Sequence, residues 1–273
     1  LAINNQILKK TLAIVLFFCS FNLNAQKAFF GAQNNEPARV VQSALAPNII
    51  TNGLLVHLDA NYSSSYGGSG NTWTDIAGSN NGTIVGGTFV NSGGVSFFNF
   101  TTTGVNSYVS IPHTKTNSMT FSVWAKSSNY PVSNSMLFNT GTVGAGGGPN
   151  FLLASNFVLW NIWDSFGTPF KDGSNTDLDH RNIIANTGWH NYTIVADNNN
   201  NIRFYYDGVL KGTSAYWSPI RSSATAFFLG SAGAGDTGWN FIGGIAAFLS
   251  YNRVLTQSEI TANFNAVKSR YGL

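Results

Sequence analysis

At 273 residues the chain fits one large all-β domain, a class in which roughly 250 residues often share a single core. Only 9% of residues are charged while 14% are aromatic, a balance that suits many short strands joined by polar turns and argues against a helical fold. The formal charge of +3 includes Lys9 and Lys10; without them 14 − 2 = 12 basic and 11 acidic residues leave 12 − 11 = +1, and no basic stripe tracks a phosphate backbone, which excludes nucleic acid as a partner.

Residues 9 to 25 read KKTLAIVLFFCSFNLNA: two lysines, an apolar run from Leu12 to Phe18, then a polar stretch ending in Ala25 before Gln26. That three-part layout predicts a secretory signal peptide over 1–25, whose Asn-Ala-Gln ending has a bacterial look. The apolar run falls far short of the ~20 residues that cross a bilayer, so no integral membrane protein is expected once the leader is removed, and the chain is expected to be secreted or to sit at the cell surface. Cys19, the sole cysteine, lies inside the leader; the mature chain would then carry no disulfide and no thiolate ligand. Phe18 just before it disfavours processing as a lipoprotein. Residues 26–50 mix Gln, Asn, Ala and Pro without a period and read as a linker.

From about Thr51 to Leu273, short apolar runs recur between turn signals: LLVHL at 54–58, TIV at 83–85, VSFFNF at 95–100, SYVSI at 107–111 and MTFSVWAK at 119–126. MLFN at 136–139, FLLA at 151–154, FVLWNIW at 157–163 and WHNYTIVA at 189–196 continue the series, followed by NIRFYY, VLKG, AFFLG and GGIAAFLSY. This spacing predicts an antiparallel β-sandwich. Asp207-Gly208 between alternating segments predicts a tight hairpin with positive φ angles. Thr256 with Glu259 three residues on predicts a capping box, and Ile260, Phe264, Val267 and Tyr271 follow at helical spacing, so one short C-terminal helix closes the domain. No segment repeats at a fixed period, which excludes solenoids and propellers.

The segments GLLVHLDA (53–60), TWTDIAGSNNGTIVGG (72–87), SYVSIP (107–112), MTFSVWAK (119–126), GWHNYTIVADNNNNIRFYYDGVLKGT (188–213) and FIGGIAAFLSYNRVLTQSEITANFNAVKSRYGL (241–273) stand in the order seen in laminin G-like, concanavalin-type jelly rolls, which the chain from 51 onward resembles. The resemblance implies two stacked antiparallel sheets, one convex and one concave, with binding on the rim loops or the concave face. It also implies a Ca²⁺ site near the first Asp turn, where Asp75, Asn80 and Asn81 offer hard oxygen ligands. DIAGSNNGT is one residue shorter than the common form, and Ala246 or Ala247 replaces the acid often found in the closing strand.

Trp124, Trp189 and Tyr251 lie in or at the ends of alternating strands and are expected to fill the core, with His190 a structural donor beside them. Trp160 and Trp163 differ by three and so address opposite faces of a strand, which puts at least one outside the core; Trp217 and Trp239 sit in Gly/Ser-rich stretches. With Asp164, and with Asp177 and Asp179 in the acidic loop KDGSNTDLDH, these tryptophans are the candidate ligand contacts. The glycine-rich stretch at 140–150 lacks the Gly-Lys-Ser/Thr ending of a phosphate cradle.

Glycoside hydrolysis needs two carboxylates flanking one bond. Of the two glutamates, Glu36 falls in the linker and Glu259 caps the helix; an Asp pair such as Asp177 and Asp179 could substitute. No Gly-x-Ser-x-Gly elbow and no clustered His or Cys pattern is present. The expected function is therefore a secreted, non-catalytic recognition module for a glycan, the alternative a protein-binding or adhesive surface component.

Overall fold

The computed structural model describes residues 48–101, 107–112, 116, 118–128, 135–139, 149–154, 157–162, 188–197, 201–215, 226–234, 238 and 240–273, with backbone alone at 135, 149–154, 157–162 and 214–215. Fifteen strands form two antiparallel sheets among these residues. The eight-stranded sheet contains β1 (Leu54–Asp59), β4 (Thr88–Ser92), β5 (Val95–Phe100), β7 (Met119–Ser127), β11 (His190–Ala196), β12 (Asn201–Tyr206), β13 (Val209–Ala215) and β15 (Gly243–Tyr251). Its order is β13-β12-β11-β7-β15-β5-β4, with β1 alongside β15. The seven-stranded sheet contains β2 (Thr72–Trp73), β3 (Gly82–Val85), β6 (Tyr108–Pro112), β8 (Ser135–Asn139), β9 (Pro149–Ala154), β10 (Phe157–Ile162) and β14 (Ala226–Leu229), in the order β10-β9-β8-β14-β6-β3-β2. The architecture is the expected jelly-roll sandwich closed by one short C-terminal helix.

Alternation assigns the faces, because successive side chains of a strand point to opposite sides. Phe121 and Ile194 are cross-strand partners, as are Phe227 and Ile111, and all four are buried between the sheets with Trp73, Phe98, Phe100, Phe138, Phe204 and Phe248. Edge-on ring contacts such as Trp73 with Phe98, at 4.7 Å between centroids, fill this layer.

A second apolar layer covers the other face of the eight-stranded sheet. Helix α1 (Gln257–Val267) and a 3₁₀ turn (Lys268–Tyr271) lie over it. Trp124 stacks on Tyr271 at 3.9 Å and on Phe264 at 5.7 Å, and Ile260, Leu249 and Tyr251 close the layer beside them. Trp124 and Tyr251 are thus buried as expected, but under the helix and not between the sheets. Trp189 is half-buried there, edge-on to Phe97 at 5.1 Å. Ile49 and Ile50, placed in the linker by composition, pack into the same layer, and the Ile50 amide donates to Asn263 Oδ1 at 2.9 Å.

Both local geometry expectations hold. Asp207 and Gly208 take φ of 51° and 74° in a two-residue loop that pairs Tyr206 with Val209, which is the twist-matched hairpin turn. Thr256 N donates to Glu259 Oε2 at 2.8 Å while Glu259 N donates to Thr256 Oγ1 at 3.3 Å, completing the capping box. Among the described residues no helix is long and apolar enough to cross a membrane.

Candidate functional site

Five carboxylates fall among the described residues, and each is held by structural partners. Asp59, at the end of β1, accepts from Arg270 Nη1 at 2.6 Å and from Asn61 N and Nδ2 at 2.9 Å each; Arg270 Nη2 also donates to the Tyr62 hydroxyl at 2.9 Å. Burial works against the Arg270 charge, but Asp59 beside it outweighs burial and holds the guanidinium well above its ordinary value. Asp197 accepts from Asn201 N at 3.0 Å and from Arg203 Nη2 at 3.5 Å. Glu259 takes a two-point grip from Arg253 at 2.6 and 2.9 Å, and that hydrogen-bonded guanidinium holds its carboxyl down at about 2.

Asp207 sits at the hairpin turn, where Oδ2 meets His190 Nδ1 at 2.8 Å and Oδ1 accepts from Asn191 N at 2.9 Å. His190 is buried and stacks on Tyr206 at 4.7 Å, which fits the structural role expected of it. Its other ring nitrogen, Nε2, is buried without a hydrogen-bond partner. Burial, and then the Asp207 charge, push the neighbouring Tyr192 phenol well above its ordinary value, so that hydroxyl does not ionise in the neutral range.

The turn proposed to hold calcium gathers its three residues around Asp75. Oδ1 accepts from His57 N at 2.8 Å and Ala77 N at 3.0 Å, and Oδ2 accepts from Asn80 N at 3.0 Å. Asn81 Oδ1 in turn accepts from Asp75 N at 2.9 Å, and Asn80 Nδ2 donates to Leu55 O at 3.2 Å. Three backbone N–H dipoles already converge on the one carboxylate, which makes the turn a staple between β1 and the start of β3. A cation would have to displace those donors, so this arrangement fits calcium poorly.

The other predicted contacts fare differently. Trp163, Asp164, Asp177, Asp179, Trp217 and Trp239 lie outside the described residues. Trp160 has a register position: it pairs with Phe151, which pairs with Phe138, which pairs with Leu229. Phe138 and Leu229 are buried between the sheets, so Trp160 occupies a row of the inner face.

What sequence reading missed is the outer face of the seven-stranded sheet. None of its strands contains Asp, Glu, Lys, Arg or His, whereas the eight-stranded sheet carries His57, Asp59, Lys126, His190, Arg203 and Lys211. Cross-strand pairs set Thr72 against Thr83, Thr83 against Ser110, and Ser110 against Phe228 on that outer face. Thr72 and Thr83 are exposed; Ser110 and Phe228 are half-buried. Tyr108, also half-buried, meets Phe228 edge-on at 5.6 Å. The row continues in register to Asn139, whose side chain is buried and donates to Ala232 O, so the turn after β14 closes the face on that side. The available signal was the absence of charge from every one of these strand segments.

Two face-to-face antiparallel sheets with a sealed outer layer on one and an open uncharged face on the other define a lectin-like jelly-roll domain. Residues 102–261, more than half of the chain, match the family model of the concanavalin A-like lectin/glucanases superfamily, and the chain belongs to that superfamily. No curated protein matches the sequence. Among solved structures, the binding domain of botulinum neurotoxin serotype D superposes with a TM-score of 0.58 at 14% identity, over 79% of this chain and 52% of that one. The binding domain of Paraclostridial Mosquitocidal Protein 1 gives 0.58 at 17% identity, over 79% and 52%. A Trypanosoma rangeli sialidase, solved with the inhibitor DANA, gives 0.55 at 16%, over 79% and 33%. The chain thus spans about half of the two binding domains and a third of the sialidase, and at these identities the likeness is one of fold.

Proposed function

We propose that the chain is an exported carbohydrate-recognition module that performs no catalysis. The observation carrying this reading is the state of the described carboxylates: all five are engaged by arginine, histidine or backbone amides, whereas glycoside hydrolysis uses a pair left facing the scissile bond. Folds of this class host binders and glycosidases alike, so the argument rests on these residues. The leader read at 1–25 supports export to the medium or the cell surface. The sequence-based rim contacts, Trp163, Asp164, Asp177, Asp179, Trp217 and Trp239, belong to this reading.

A glycan array, run with and without calcium and paired with an assay for released reducing sugar, tests it. Binding without release, unchanged by calcium, is expected. Release of reducing sugar from a polysaccharide would overturn it.

One observation favours the second reading, a protein-binding or adhesive component. Val209 and Leu210, exposed by 55% and 43%, stand side by side on edge strand β13, where an unpaired strand edge and apolar side chains suit a polypeptide partner. Failure on every glycan together with loss of protein capture in Val209→Lys would move the conclusion there.

A further inference from the structure

Resting on the carbohydrate reading, we propose that the outer face of the seven-stranded sheet is a binding surface for a neutral glycan chain, laid across β2, β3, β6 and β14. The sequence reading had put contacts on the rims; the register moves them to the sheet. Strands about 4.8 Å apart make the row Thr72, Thr83, Ser110, Phe228 roughly 14 Å long, enough for a short oligosaccharide.

The chemistry of the row matches such an occupant. Thr72, Thr83 and Ser110 supply hydroxyls that both donate and accept, as sugar hydroxyls require. Phe228 and Tyr108 supply aromatic surface for the apolar faces of the rings, and their edge-on contact holds both side chains in place before anything binds. The turn bearing Ala232 closes one side of the row over Asn139.

Charge decides which glycan. None of the seven strands has an ionisable acid, base or histidine. A uronic or sulfated sugar would surrender hydration of its anion to a face offering no cation in return, which is costly. A neutral chain exchanges hydroxyl–water bonds for hydroxyl–hydroxyl bonds at little cost. A protein partner is disfavoured on the same ground, since interfaces usually surround their apolar centre with charged or strongly polar groups, and this sheet supplies no charge.

The test uses the full chain against soluble neutral polysaccharides (a β-glucan, a mannan, a xylan, an amylose) and against alginate and heparin, read by calorimetry or affinity electrophoresis. At least one neutral polymer is expected to bind and both anionic ones to fail. Ser110→Lys and Thr83→Lys each put a charge on the row from a position open to water, and each is expected to weaken neutral-polymer binding about tenfold or more, with the melting temperature confirming that the variants fold. A second measurement needs no variant: nitration of Tyr108 by tetranitromethane, followed by peptide mass spectrometry, should slow severalfold at saturating polysaccharide, whereas Tyr62, on the other sheet's side, should not change.

Binding of anionic polymers alone overturns the inference. So does neutral-polymer binding that both lysine variants retain in full while Tyr108 nitrates unhindered; that result leaves carbohydrate recognition standing and returns the contacts to the rims. Failure of every polymer removes both readings.

Discussion

Replacing Arg270 by methionine separates the ion pair that ties the chain's end to its first strand. Asp59 is 3% exposed at its side chain and Arg270 17%, so the pair lies out of reach of most solvent screening. Removing the cation strands a buried carboxylate, which in comparable sites costs ~3–5 kcal/mol. Asn61 still gives Asp59 two donors, which places the loss near the lower end, about 3 kcal/mol. For a domain of this size each kcal/mol lowers the melting temperature by about 2–4 °C, so Arg270→Met should melt about 6–12 °C early. Circular dichroism melts and guanidinium titrations read it. Asp59→Asn with Arg270→Met removes both charges and should recover part of the loss, because the penalty belongs to the unpaired anion. A melting drop of about 2 °C or less in Arg270→Met, or a double variant no more stable than the sum of the single losses, refutes this account.

Two further outcomes follow from the same region. Burial, opposed by Asp59 and Asp75, lowers the His57 pKa below 6.5, so the unfolded chain takes up that proton first as pH falls. The stability His57 contributes is present above about pH 6.5 and is lost on descending through its lower folded value; melts between pH 8 and 5 should show the decline, and His57→Gln should flatten it. At the Asp75 turn, Asp75→Ala leaves three backbone N–H groups without their acceptor and should cost about 2–3 kcal/mol in guanidinium unfolding, while millimolar calcium should leave the wild-type melting temperature unmoved.

The parts of the fold legible in the sequence were those whose signal is local. The Asp207-Gly208 turn is set by two residues' tolerance of positive φ, and the capping box by two side chains three apart. β2 and β4 escaped because one has two residues and the other, TFVNS, is a sheet edge only partly covered, so neither shows the alternation of a half-buried strand. The placing of Trp124 under the helix was likewise out of reach: alternation says that Trp124 and Val123 face opposite ways, but only the α1 packing says that both faces of β7 are buried. The outer row of the other sheet depends on strands far apart in sequence, Ser110 against Phe228 and Thr83, and such register is invisible until the strands are paired.

That pairing also explains why charge is divided as it is. The eight-stranded sheet has its outer face sealed by α1, and the seal needs fixed points: Arg270 on Asp59, Arg253 on Glu259, and Gln257 Nε2 on Gly208 O at 2.7 Å. Its charged side chains therefore serve attachment. The seven-stranded sheet has no helix among the described residues to hold, and an uncharged strand face left to water invites edge and face association unless polar groups break it up. Thr72, Thr83 and Ser110 do so without charge. Hydroxyls satisfy water as well as they satisfy a sugar, so the same residues that keep the open face soluble are those expected to exchange water for a neutral glycan.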